Sequence, residues 1–206
     1  MKKRFFLAAA LAVSVAANAQ SYQHSIGLNV GSMEGISYKG FLNRNVAVGL
    51  DLGVSFLKTP ATVVETYKYN DSNKNKKYVS KGFTYVAWEL DLNPNIVYQN
   101  EITSWRNAEL GWFAGAGASL GMMKPTSVSR GNFSMSLTDY KLSGKFGLNA
   151  IGGVEMSFGR TPIAISLDFR PGYGLMFRPQ KNETYTYTQL AHFFDWKLVA
   201  AVRYTF

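Results

Sequence analysis

The sequence predicts an all-β chain, an eight-stranded antiparallel up-and-down transmembrane β-barrel. Three observations predict it. Period-two alternation of apolar and polar residues recurs in eight segments. Short connections alternate with long ones, as in membrane barrels with short periplasmic turns and longer outer loops. After the N-terminal segment, no run has the eighteen or so continuous apolar residues of a membrane helix.

The N-terminal segment reads as an export signal. Lys2, Lys3 and Arg4 precede an apolar run from Phe5 to Ala17, and Ala17-Asn18-Ala19 supplies a small-x-small cleavage pattern. Residues 1–19 are therefore expected to be a signal peptide and residues 20–206 one outer-membrane barrel domain. Cleavage takes three cations from a formal net charge of +9. With no cysteine in the chain, neither a disulfide framework nor a lipid-anchoring Cys is available. Aromatics at 15% and 19 glycines favour β-structure over helix.

The strands follow in order. The first two are short: Ile26, Leu28 and Val30, then Ile36 and Tyr38, with a tight turn expected near Glu34-Gly35. The third carries Val46, Val48, Leu50, Leu52, Val54 and Phe56 opposite Asp51. The fourth carries Val86, Trp88, Leu90, Leu92, Ile96 and Tyr98 opposite Glu89 and Asp91. The fifth sets Leu110, Trp112, Leu120 and Met122 against Glu109, Phe113, Ser119 and four glycines. The sixth runs in one register from Leu142 to Phe158, the seventh from Ile163 to Phe177, and the last from Trp196 to Phe206. Long loops are expected at Lys58–Gly82, Lys124–Tyr140 and Arg178–Phe193. Pro94 and Pro171 each remove a ladder donor inside a strand, so bulges near the membrane boundary are expected there.

The polar faces carry Lys39, Lys145, Arg170, Lys197 and Arg203, and Asp51, Glu89, Asp91, Glu109, Glu155 and Asp168. Five cations against six anions can pair inside a lumen just wide enough for side chains, whereas unpaired buried charges would be prohibitive. The same alternation with the apolar face inward would give a soluble, lipocalin-like periplasmic barrel. Aromatic residues clustered at the strand ends favour the membrane form, with one girdle at each interface.

The Ala17-Asn18-Ala19-Gln20 signal end, Arg170-Pro171-Gly172-Tyr173-Gly174 and the terminal Val202-Arg203-Tyr204-Thr205-Phe206 resemble small outer-membrane β-barrel proteins of Bacteroidetes. These are grouped with the PorT-type and the OmpX- and OmpA-barrel-like families. The resemblance spans the whole chain after the signal and rests on generic motifs. It implies an outer-membrane location and a role in secretion or gliding assembly as one alternative. Tyr204 and Phe206 are similar to the terminal signal read by the barrel-assembly machinery, which implies that machinery as a partner. An OmpA-like protein carries a peptidoglycan-binding domain after the barrel; this sequence ends at Phe206, so no such function is implied.

The glycine run at 115–121 lies mid-strand rather than at a strand-to-helix turn, so it makes room for side chains such as Phe113 or Tyr85 instead of cradling phosphate. His192 and Asp195 could meet near the outer rim, and His24 lies beside Ser25, but no nucleophile accompanies either pair, and no enzyme is expected. No cofactor or metal is expected. Lys68, Lys74, Lys76, Lys77 and Lys81 form a basic patch in the first long loop, suited to lipopolysaccharide phosphates or an acidic surface protein. The plainer reading is a solvated hydrophilic loop. Nucleic acid is not a partner for an exported chain. The sequence thus points to a scaffold with a closed lumen and outward loops. A small porin is the alternative, which eight strands and eleven inward charges disfavour.

Overall fold

The computed structural model describes residues 22–69, 75–130, 133–136, 142–181 and 185–206. The expected signal peptide lies outside these residues. Strands are β1 (His24–Gly31), β2 (Met33–Phe41), β3 (Val46–Tyr69), β4 (Asn75–Trp105), β5 (Ala108–Arg130), β6 (Phe133–Ser136), β7 (Ser143–Phe158), β8 (Ile163–Lys181) and β9 (Tyr185–Thr205).

Every pairing is antiparallel. The sheet order β4-β3-β2-β1-β9-β8-β7-β5-β6 is closed by β4–β5 pairing, so eight strands form an up-and-down ring. The ninth, β6, is a four-residue strand paired to β5 over Ser127–Arg130, outside the ring.

The faces follow from alternation. On β3, Asp51, Ser55 and Thr59 are buried while Leu50, Leu52, Val54 and Phe56 point out. Leu28 and Leu148 are 62% and 61% exposed, whereas Glu89 and Asp91 are 0% exposed. The polarity is that of a membrane barrel and the reverse of a soluble one. The lipocalin-like alternative needs its apolar face inward, and the structure turns it outward.

The outward apolar run on β3 extends from Val46 to Phe56 and gives way to exposed Lys58. Ten residue steps at about 3.3 Å, tilted about 40°, rise about 25 Å, the height of a transmembrane apolar band.

The ends of the lumen are apolar. Leu57, Tyr85, Met123, Met176 and Phe193 pack into one cluster above the charged residues. Ala47, Val97, Phe113 and Ile151, with Phe41 against them, form another below. The polar interior is therefore enclosed between two apolar plugs.

The connections differ from expectation in two ways. The long loops are largely strand: β3 and β4 pair from Lys58 outward to Lys68↔Asn75, as part of a sheet that continues through β9 to β8. β3 also pairs directly with β9, from Ala61↔Phe193 to Tyr69↔Tyr185. This follows from the short β1–β2 hairpin. Once those two strands end, β3 and β9 become neighbours, and pairing them supplies backbone partners to both. The first turn lies at Gly31–Met33 rather than Glu34-Gly35, which are already paired in β2. Gly31 takes φ 114°, a conformation that a side chain would strain.

The prolines do not form bulges. Pro94 pairs with Leu50 and Pro171 with Trp196, and the ladders keep one register through both. Proline only interrupts the rungs on its other side: β4–β5 pairing skips from Leu92↔Leu120 to Asn95↔Gly117. Likewise, β7–β8 pairing skips from Asn149↔Gly172 to Gly152↔Phe169. The register shifts fall elsewhere, at Ala61/Val63, Val86/Ala87 and Glu101/Thr103.

Candidate functional site: the charged lumen and the outer hairpin

Ten of the eleven charged residues named from the sequence are buried in the lumen, in three groups. The uppermost centres on Lys145 of β7. Its ammonium lies 2.7 Å from Glu89, 3.0 Å from Asp91 and 2.7 Å from Asp195. Lys197 joins the same carboxylates, 3.4 Å from Glu89, 3.3 Å from Asp195 and in contact with Asp91. Ser55 donates to Glu89 and Ser119 to Asp91.

The middle group centres on Arg170. Its Nη1 donates to Asp51 at 2.7 Å, while Nε and Nη2 donate to the two oxygens of Asp168 at 2.5 and 3.1 Å. This fork on a carboxylate holds the guanidinium in one plane. Asn29 and Asn95 donate to the Asp51 oxygens at 3.0 and 3.1 Å.

The lowest group surrounds Glu155. It accepts from Lys39 at 3.0 Å, Arg203 at 3.3 Å, Gln99 at 3.0 Å and the Tyr22 hydroxyl at 2.5 Å. Lys39 also donates to Gln99. Its ammonium lies about 5 Å from the Phe41 and Phe113 rings of the lower plug, at 5.0 and 5.2 Å. Removing five cations and six anions from water is costly, and shared hydrogen bonds at this density offset it.

Glu109 is not part of the network. It sits half-buried at the lower rim of the ring, near the start of β5. Burial, then Glu101 and Glu155, push its carboxyl above the usual range. Asp195 takes its place as the sixth buried acid. Face parity was the available signal, because Asp195 shares its side of β9 with Lys197 and Arg203. Tyr22 and Gln99 were missed too, lying outside or at the end of the recognised apolar runs.

The carboxylates of Glu89, Asp91 and Asp195 offer oxygens within 4.8 Å of one another, the spacing of a metal cage. Lys145 and Lys197 bind those carboxylates and supply the positive charge a metal would bring.

The histidines do not assemble with acids. Asp195 faces the lumen, whereas His192, three residues earlier, faces out and bonds the Tyr173 hydroxyl at 3.0 Å. His24 Nδ1 lies 2.9 Å from the Tyr38 hydroxyl, and its ring stacks on Tyr38 and tilts against Phe206. The inward glycines of β5 make room for neighbours other than those expected. A Cβ on Gly117 would come within 2.9 Å of Asn93 Oδ1, and one on Gly121 within 2.9 Å of Asp91 Oδ1. It is Gly153 that faces Phe113, at 2.7 Å from Cζ.

The basic residues divide between the two faces of the outer ribbon. Lys77 pairs with Thr66, and Lys68 pairs with Asn75 two rungs on, so Lys68 and Lys77 share one face. Lys76, paired with Tyr67, lies on the other face, and exposed Lys81 sits at the register shift beside Gly82. Lys74 falls outside the described residues. The patch is therefore two-sided, because strand pairing separates neighbours that a loop would have left together. Exposed Tyr78 and Val79 lie between the lysines.

No family model matches the chain, and no curated protein matches it. Among solved structures it is similar to Ail, the attachment invasion locus protein of Yersinia pestis. The match has 13% identity, covers 88% of this chain and 96% of that one, and has a TM-score of 0.27.

Proposed function

We propose that this protein is an outer-membrane β-barrel, exported by a cleaved signal peptide. On this reading it is a membrane-anchored scaffold for its outer ribbons, and neither a large pore nor an enzyme. The observation that carries it is the inverted polarity of the ring: an apolar belt outside and paired charges inside. A belt about 25 Å high fits a bilayer and would drive aggregation in water. The rigid lumen would let the extended β3–β4 pair, backed by β9, stand clear of the membrane. There Lys68, Lys77 and Lys81 would meet lipopolysaccharide phosphates or an acidic surface protein. Tyr204 and Phe206 would be read by the barrel-assembly machinery. The finer PorT-type reading rests on the terminal motifs and entails co-purification with secretion components.

The test has two parts. The envelope fraction, run unheated and boiled on a gel, should give a compact band that shifts on boiling. Recovery in the soluble periplasmic fraction without a shift would overturn the membrane reading. Deleting Thr66–Val79 should preserve the heat-shifting band and abolish retention on lipopolysaccharide-coated beads; unchanged retention would remove the ribbon's proposed role.

A further inference from the structure

With every group ionised, the buried charges of the described lumen residues do not balance. The upper and middle groups together hold five carboxylates against three cations. The lower group has the opposite imbalance, with Lys39 and Arg203 around Glu155. Six acids and five bases leave one uncompensated negative charge between two apolar plugs, where water cannot screen it.

Six buried side-chain oxygens among the described residues have no partner; besides Ser25 Oγ and Asn29 Oδ1, four bear on this charge. Glu89 Oε1, Asn93 Oδ1, Asn149 Oδ1 and Asp195 Oδ1 are buried and accept no hydrogen bond. All four are oxygen acceptors. Asn93, Asn149 and Asp195 line one small cavity between the upper and middle groups, together with Ser119. Asn93 is 4% exposed. Its Oδ1 and that of Asn149 converge over Gly117, where an added Cβ would lie 2.9 and 2.8 Å from them. The missing side chain keeps that point open.

A water there would meet the acceptors but leave the charge. A cation meets both demands, and oxygen ligands suit a hard one. The charge selects a monovalent ion, since one unit neutralises the lumen. Lys197 and Arg170, which line the same cavity, disfavour a divalent ion. We propose that this cavity binds one sodium-sized monovalent cation, held by Asn93 Oδ1, Asn149 Oδ1 and the Asp195 carboxylate. The ion completes the pairing that folds the lumen shut.

The experiment compares the detergent-refolded full-length mature barrel in sodium chloride and in choline chloride at equal ionic strength, so that screening is the same. The unfolding midpoint should be higher in sodium and should saturate with its concentration. Sodium-23 resonance should broaden on adding the barrel. Asp195→Asn removes the uncompensated charge and Asn149→Leu removes a ligand oxygen; both should abolish the sodium dependence and the broadening. Equal midpoints in the two salts, with no broadening, would overturn the proposal and leave a water or a carboxylate proton in its place. If neither variant folds, the wild-type salt comparison decides alone.

Discussion

Lys145 on β7 and Asp195 on β9 meet at 2.7 Å across the lumen, past the intervening strand β8. The same ammonium holds Glu89 and Asp91 from β4, so one side chain ties three walls of the ring together. Lys145→Met would leave three carboxylates to Lys197 alone. Stranding buried charge in this way is expected to cost about 3–5 kcal/mol. Denaturant unfolding in detergent measures it, and Lys145→Arg should recover part of the loss. A loss below about 1 kcal/mol would mean that the group behaves like a solvated surface pair.

The outward face gives an independent test of orientation. Leu148 is 61% exposed, and its neighbours across the ladders are Ala118 and Tyr173. Arginine at the middle of a lipid-facing belt costs about 2–4 kcal/mol, falling toward zero at the interfaces. Leu148→Arg refolded into lipid vesicles is therefore expected to be destabilised by that amount. Arginine at Lys58, above the belt, should be neutral. Equal tolerance at both positions would show that the belt does not contact lipid.

Much of the ring was legible because alternation assigns every strand residue to one of two faces. Asp51, Glu89, Lys145 and Arg203 could be placed inward without knowing any partner. Asp195 obeyed the same arithmetic, but its nearness to His192 drew it into a different reading. The ribbon was less legible. Thr62–Tyr67 is rich in β-branched and aromatic residues, yet Lys68 and the polar stretch after it resemble a loop. Its pairing with β9 depends on the length of a hairpin elsewhere in the chain. Which lumen charges meet was not legible at all, because Lys145 and Asp195 are brought together only by the curvature of the closed ring.

Closure at both ends bears on conductance. Met123, Met176 and Phe193 fill the lumen above the charges, and Val97, Phe113 and Ile151 fill it below. Between them, Lys145 and Arg170 are each bound by more than one acid. An ion path would require both plugs to part and this network to break. Purified monomer in planar bilayers is expected to give no stable channel. Phe193→Ala alone should not open one, since the lower plug and the ion pairs remain. Large, long-lived steps from the wild type would contradict the closed lumen.

Glu109 offers a pH test outside the apolar belt. Burial first, then the like charges of Glu101 and Glu155, hold its carboxyl above the usual range. The unfolded chain releases this proton near pH ~4.3. The folded chain thus binds the proton more tightly, and protonation favours folding in the window above that value. Stability contributed by the protonated carboxyl is lost as pH rises through the folded pKa, and neutral pH leaves a repelled carboxylate. Glu109→Gln removes the charge and keeps the shape. The variant is expected to unfold at a higher denaturant concentration than wild type at pH 7. The two midpoints should converge as pH falls below the unfolded value. A constant difference across that range would mean that the gain comes from packing at the rim, with no contribution from the proton.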